Sequence, residues 1–166
     1  MPEYTDAIAL LKADHRRVEA LFEAFEKARD SKRKRDLVQD ICIELKVHTA
    51  IEEDIFYPAL RGKIEDDTLD EAYVEHDGAK VLVNDLHAAF PDEQYYDAKV
   101  TVLAEEIRHH VAEEERPSEG MFAQARKTDV DLVALRDEML ARKQELMAKA
   151  GSLPVAKPSA VKLIAA

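Results

Sequence analysis

The chain contains no tryptophan, one cysteine, four glycines and six prolines in 166 residues. A lone cysteine, Cys42, excludes an intramolecular disulfide and with it the disulfide-stapled class of small domains. Few glycines and prolines mean few helix breakers. No apolar run approaches the roughly 20 residues a membrane-spanning helix needs. The opening Met1-Pro2-Glu3-Tyr4-Thr5-Asp6 is polar and acidic, unlike a secretory leader. Positive charge is also scarce: 24 Lys and Arg face 35 Asp and Glu, for a net charge of -11. That balance argues against nucleic acid or an anionic membrane as partner. The expectation is a cytoplasmic protein.

Against these absences stand 46% hydrophobic and 36% charged residues, a helix-favouring composition in a chain long enough for one real core. Apolar residues recur at alternating steps of three and four, the spacing of one helical face. Ile8, Leu11, His15, Val18, Phe22 and Phe25 mark a helix over 5–28. After a charged connection at 30–35, Ile41, Leu45, His48, Glu52, Ile55 and Ala59 mark a second over 36–60. Leu69, Tyr73, His76, Val83, Leu86 and Phe90 mark a third over 67–90, weakened in its middle by Gly78. Tyr96, Val100, Leu103, Ile107, His110, Glu114, Pro117 and Met121 mark a fourth over 93–126, bent at Pro117. A fifth amphipathic stretch over 130–150 either docks on the others or mediates weak self-association, giving a monomer or a weak homodimer. Gly151-Ser152-Leu153-Pro154 breaks it and leaves a loose tail. Nothing reads as a strand. The expected fold is all-α: an antiparallel up-down four-helix bundle over 1–126, a C-terminal amphipathic helix over 127–150, and a tail over 151–166.

Four histidines lie inside these apolar stripes, and two are followed one turn later by a glutamate. His48 pairs with Glu52 and His110 with Glu114; His15 precedes the first pair and His76 the second. Corresponding residues lie 61 or 62 positions apart, so the chain reads as two similar halves. Short connections make neighbouring helices antiparallel, and distances from the turns put all four histidines at nearly one level. Glu52 and Glu114 lie one turn on and face the same way. The result is one polar layer across an apolar core.

A single histidine on an apolar face is ordinarily a satisfied core residue, and a structural His/Glu hydrogen-bond network is the competing reading of the set. Two buried carboxylates without a Lys or Arg in their layer tell against it. Burying an ionised carboxylate unpaired costs about several kcal/mol, and a pair of metal cations would neutralise both. Six ligands exceed one tetrahedral zinc. They suit two metals sharing both carboxylates, each with two imidazoles. An oxo or hydroxo bridge would bring each metal to five ligands and leave a position for a small molecule. Nitrogen and oxygen donors without thiolate favour non-haem iron, with manganese or zinc left open.

The pattern His15, His48-x-x-x-Glu52, His76, His110-x-x-x-Glu114 resembles the hemerythrin-like (HHE cation-binding) domain over about residues 5–126. So do the flanks Glu52-Glu53-Asp54-Ile55-Phe56-Tyr57-Pro58 and His109-His110-Val111-Ala112-Glu113-Glu114-Glu115. The resemblance implies a four-helix bundle holding a non-haem diiron centre of two iron ions. His15, His48, His76 and His110 would be terminal ligands and Glu52 and Glu114 bridging ones, with oxygen, nitric oxide or peroxide as the small ligand. The oxygen-carrying branch has a second third-helix histidine where this chain has Lys80, and a His-x-x-x-x-Asp pair that only His109 with Glu114 would imitate. The chain is closer to the subgroup of mycobacterial proteins associated with hydrogen peroxide breakdown, and to the iron- and oxygen-sensing domain of a ubiquitin-ligase subunit. Catalase-like turnover and ligand sensing without turnover are the two functions implied. Glu53, Glu113 and Glu115 read as outer carboxylates or solvent-facing ones, and Tyr57 and Tyr73 first as packing residues.

Overall fold

The computed structural model describes residues 3–164, and the regular structure among them is helical throughout. The long helices are α1 (Ala7–Lys27), α2 (Ser31–Ile51), α4 (Asp66–Ala88) and α5 (Tyr96–Glu114). A π-helical stretch (Glu52–Phe56) and one α-turn, α3 (Tyr57–Leu60), prolong α2. After α5 come α6 (Met121–Ala125), α7 (Leu132–Ala148) and a 3-10 turn (Ala150–Ser152). Helix α1 packs on α2 and α5, α2 on α4, and α4 on α5, which closes the four-helix bundle. Helix α7 lies across α1 and α2, with Leu135 and Met139 buried there. No helix among the described residues is long and apolar enough to cross a membrane.

Two apolar blocks fill the bundle. One, around Phe22, Phe25, Leu37, Ile41, Val83, Tyr96 and Leu103, occupies the end nearer the α1–α2 connection. The other, around Ile8, Leu11, Phe56, Leu60, Leu69, Phe122 and Met139, occupies the opposite end. Polar side chains collect between them.

Local chemistry moved several expected boundaries. Helix α2 starts at Ser31, inside the stretch read as a charged connection. The Asp30 side chain accepts a hydrogen bond from the Arg33 N–H and caps the helix there. The ladder then widens into the π-stretch, where the Tyr57 N–H bonds the Glu52 carbonyl. Pro58 gives this a cause: it has no N–H for the Asp54 carbonyl, and its ring crowds that carbonyl in α register. The extra residue per turn moves the buried face on by one. Phe56, Tyr57 and Leu60 are therefore buried where Ile55 and Ala59 were expected.

The fourth helix does not continue to residue 126. It stops at Glu114, and residues 115–120 turn the chain back into α6. Gly120 makes this turn possible. A Cβ there would meet the Arg116 N and O and the Glu113 O at 2.7 Å, all backbone atoms. Pro117, placed on the buried stripe from sequence, lies exposed in the loop. Nor is the tail loose at 156–161; its last two positions, 165 and 166, lie outside the described residues. Residues 156–161 run along α4, held by polar contacts, while Val161, Leu163 and Ile164 stay exposed.

Candidate metal centre

Helix α1 supplies His15, α2 His48, α4 His76, and α5 His110 and Glu114; the π-stretch opens on Glu52. All six are buried between the two apolar blocks. They converge in two groups that share Glu52. Ligand atoms of His15, His48, Glu52 and Glu114 lie within 4.8 Å of one another, as do those of Glu52, His76 and His110. Glu52 Oε2 is 3.2 Å from Nε2 of both His48 and His76. Glu114 places Oε2 3.4 Å from His15 Nε2 and Oε1 3.5 Å from His110 Nε2. Each carboxylate thus spans the two histidine pairs. His109, the neighbour weighed against His110, is two-thirds exposed and reaches only Glu75, at 3.4 Å.

A second ring of carboxylates faces the other nitrogen of each imidazole. His15 Nδ1 lies 2.7 Å from Glu115 Oε1, His76 Nδ1 2.9 Å from Glu53 Oε1, and His110 Nδ1 2.6 Å from Glu75 Oε2. His48 Nδ1 is 3.5 Å from Asp14 Oδ2, within ion-pair reach. A carboxylate on Nδ1 holds the proton there and turns Nε2, with its lone pair, toward the centre. These carboxylates are themselves anchored: Asp14 by Lys143 of α7, Glu115 by Arg16, and Glu53 by Lys80 and Ser159.

The donor atoms at the centre are underserved. His15 Nε2, His48 Nε2, Glu52 Oε1 and Glu114 Oε2 are buried there without a hydrogen-bond partner, as is His48 Nδ1 on its outer side, facing Asp14. Buried polar atoms are nearly always paired, so four orphans converging on one layer fit cations that would satisfy them. Among the described residues, no Lys or Arg forms an ion pair with Glu52 or Glu114. The residue that does reach both is Tyr57. Its hydroxyl lies 2.8 Å from Glu114 Oε1, 3.1 Å from Glu52 Oε2 and 3.2 Å from His76 Nε2. Five residues on from Glu52, an α-helix would carry Tyr57 about 140° around the axis; the π-stretch brings it back over Glu52.

Charge follows this geometry. Burial alone would depress the histidines, but the facing carboxylates win. His48 is held well above the usual imidazole range by Glu52 and Asp14, and His76 is raised to about 9 by Glu52 and Glu53. His15 is raised by Glu114 and Glu115. Burial pushes Glu52 up, yet His48 and His76 pull it well below the usual carboxylate range. Burial, then Glu114 and Glu52, push the Tyr57 phenol well above its ordinary value, so it stays protonated.

The Hemerythrin HHE cation binding domain matches residues 6–125 of this chain, spanning the bundle and α6. The chain belongs to the hemerythrin HHE cation binding family. A solved hemerythrin HHE cation binding domain-containing protein from Mycobacterium kansasii is similar over 89% of this chain and 93% of that one, with a TM-score of 0.73 and 25% identity. A curated DNA nickase from Nostoc sp. (strain PCC 7120 / SAG 25.82 / UTEX 2576) is 26% identical over 106 residues, 64% of this chain. The chain spans only 30% of that nickase's length.

In this HHE domain, Lys80 stands clear of the centre. Its ammonium binds Glu53 at 2.8 Å and Asp77 at 3.1 Å. Tyr73 packs edge-on against Tyr57 at 5.3 Å, and Glu113 pairs with Arg116. The sequence reading left out Asp14 and Glu75, and it ranked Tyr57 first as packing. A signal for the two carboxylates was present. Asp14 precedes His15 and Glu75 precedes His76, at the same 61-residue offset; Glu53 and Glu115 follow Glu52 and Glu114 at the 62-residue offset. Each carboxylate serves a histidine on a different helix from its own, so adjacency in sequence conceals the pairing. Tyr57 had no such signal, because its position depends on the π-stretch.

Two cavities bear on access. One of about 10 Å³, near the size of a single water, touches the four histidines and is closed by Val18, Leu45, Ile107 and Val111. A groove of about 510 Å³ between α4, α5 and α6 opens from solvent onto His110 and Glu114. Phe122 of α6, itself buried, stacks on His15 at 5.8 Å.

Proposed function

We propose that this chain is a non-haem diiron protein that reacts with hydrogen peroxide or dioxygen. His15 and His48 would hold one iron, His76 and His110 the other, and Glu52 and Glu114 would bridge them. The observation that carries this is the convergence of two ligand groups that share Glu52, with Glu114 reaching a histidine of each pair and with buried nitrogen and oxygen atoms that lack a hydrogen-bond partner. When bound, the iron pair supplies redox chemistry toward a small oxygen species. The protein's own share is to orient, exclude and hold protons. Outer carboxylates fix His15, His76 and His110 by hydrogen bonds, Asp14 stands within ion-pair reach of His48, and the apolar walls of Val18, Leu45, Ile107 and Val111 limit what fits the enclosed cavity to a molecule of a few atoms. Tyr57 holds a proton within hydrogen-bond reach of both glutamates. Tyr57 does not line that cavity; it belongs to the other apolar block and serves the layer from there, as a donor to the glutamates and not as a ligand.

The preferred reading is catalase-like turnover, the disproportionation of hydrogen peroxide to water and dioxygen. It is tested by steady oxygen evolution from iron-loaded protein, with His48→Ala as control. Turnover that requires iron and His48 supports it; absence of metal-dependent turnover rejects it. The enclosed, water-sized cavity also favours reversible capture of a diatomic ligand without turnover, as in an oxygen, nitric oxide or iron sensor. That reading expects a spectral change on adding dioxygen or nitric oxide while peroxide stays unconsumed.

A further inference from the structure

Asp77 follows His76 on α4, and its carboxylate is 1% exposed. Within the bundle it bonds Lys80 at 3.1 Å. Its other bonds come from the far end of the chain. The backbone N–H groups of Ser159, Ala160 and Val161 donate to it at 2.8, 2.7 and 2.7 Å. Successive backbone donors on one anion form a nest, a strong and directional anchor. Further along α4, Asn84 and Ala156 exchange two hydrogen bonds, at 2.8 and 2.9 Å.

These contacts, rather than apolar burial, set the course of residues 156–161. Val155 and Val161, the nearest large apolar side chains, are 67% and 45% exposed. What the anchor delivers is the Ser159 hydroxyl, which donates to Glu53 Oε2 at 2.5 Å. Lys80 donates to the same oxygen at 3.0 Å. The other oxygen of Glu53 faces His76 Nδ1. An unbroken polar path thus runs from the tail to a ligand of the proposed centre. Among the described residues the other half shows no equivalent: Glu115, the counterpart of Glu53, is held by Arg16, whose side chain is 64% exposed.

We propose that residues 156–161 form a clasp that positions His76, with Ser159 and Lys80 fixing Glu53 and the Asp77 nest fixing Ser159. This rests on the diiron reading above. A carboxylate held by two donors cannot swing away from Nδ1, so the imidazole keeps its tautomer and aim. The iron held by His76 and His110 is therefore retained longer than the bundle alone would retain it. Ser159, Lys80 and Asp77 are positioning residues; none is a ligand.

The test compares full-length wild type, Ser159→Ala, Ser159→Thr and Asp77→Asn, each loaded with iron. Iron release to excess chelator is followed together with amide hydrogen exchange at 159–161. Ser159→Ala should release one of its two iron equivalents roughly tenfold faster than wild type, within the range known for loss of an outer partner of a metal-bound histidine. The other equivalent should leave at the wild-type rate. Ser159→Thr, which keeps a hydroxyl, should restore the slow phase. Asp77→Asn should give the same fast phase and also raise exchange at the tail amides. Wild-type release from Ser159→Ala, or equal acceleration of both equivalents, overturns the clasp while leaving the diiron reading intact. A wild-type chain that takes up no iron removes the diiron reading, and the clasp with it.

Discussion

Tyr57 sits where two carboxylates and an imidazole meet, and its hydroxyl is the one neutral donor that serves both glutamates. Tyr57→Phe leaves that layer short of a donor without changing the packing volume much. Leaving buried acceptors unsatisfied costs about 1–3 kcal/mol, so the metal-free variant should melt earlier by that measure of stability. The iron-loaded variant should lose less, since the metal would then satisfy the same oxygens. Thermal melts of both forms check this; equal losses in the two would mean that Tyr57 acts only by packing. The histidines carry a pH signature at the same scale. His76 rises from 6.5 to about 9 in the metal-free fold. A raised histidine contributes stability that is complete below pH 6.5 and is lost as pH climbs through about 9. The metal-free protein should therefore weaken over that window. Iron competes with the proton for the same nitrogen, so apparent iron affinity should rise over it. Titrating iron at several pH values and melting the metal-free form alongside gives both slopes. A metal-free melt that is flat or rising across the window would contradict the charge assignment.

Among the elements, the loop after α5 leads into α6 and so places Phe122 against His15. Gly120 has φ of -63°, a value any residue tolerates, so its constraint is steric. Gly120→Ala drives a Cβ into three backbone atoms at 2.7 Å. A cost of about 1–3 kcal/mol is expected, as for other forced insertions into packed sites. Because the loop also sets Phe122 against His15, the variant should lose iron faster as well as melt earlier. Denaturant unfolding and chelator competition measure the two effects, and wild-type values in both would mean that the loop yields at no cost. What was legible in the sequence follows the same division. Helical periodicity located α1, α4 and α5 and most of the inward stripe of each, because apolar burial at steps of three and four leaves a direct trace; Phe90, expected on the third stripe, is 52% exposed just past the end of α4, as Pro117 is exposed past the end of α5. It brought six polar residues to one layer even though the α1–α2 turn lies nearer residue 29 than 32. It missed the π-stretch, since a widened turn shifts the buried face by a single residue and only Pro58 hints at it. It ran α5 on to residue 126, because Met121 happens to fall on the extrapolated stripe. The tail was unreadable for a different reason: its docking uses backbone N–H groups, which carry no residue identity.

Taken whole, the molecule is two apolar blocks with a charged layer held between them. Such a layer is costly to bury, and the protein meets the cost with concentric order. Inner carboxylates and imidazoles face each other, outer carboxylates face the imidazoles from outside, and cations of the bundle and α7, with the Ser159 hydroxyl of the tail, hold Glu115, Glu53 and Asp14. The 61- and 62-residue offsets show that this order is built twice, once in each half. The C-terminal segments then break the symmetry, Lys143 of α7 reaching Asp14 and Ser159 reaching Glu53. The central claim is that the charged layer exists to hold two irons. Anomalous X-ray diffraction at the iron edge from iron-loaded crystals tests it most directly. Two peaks are expected, one between His15 and His48 and one between His76 and His110, with Glu52 and Glu114 against both. A single peak, peaks elsewhere, or none, with the glutamates instead hydrogen-bonded to protonated imidazoles, would contradict it.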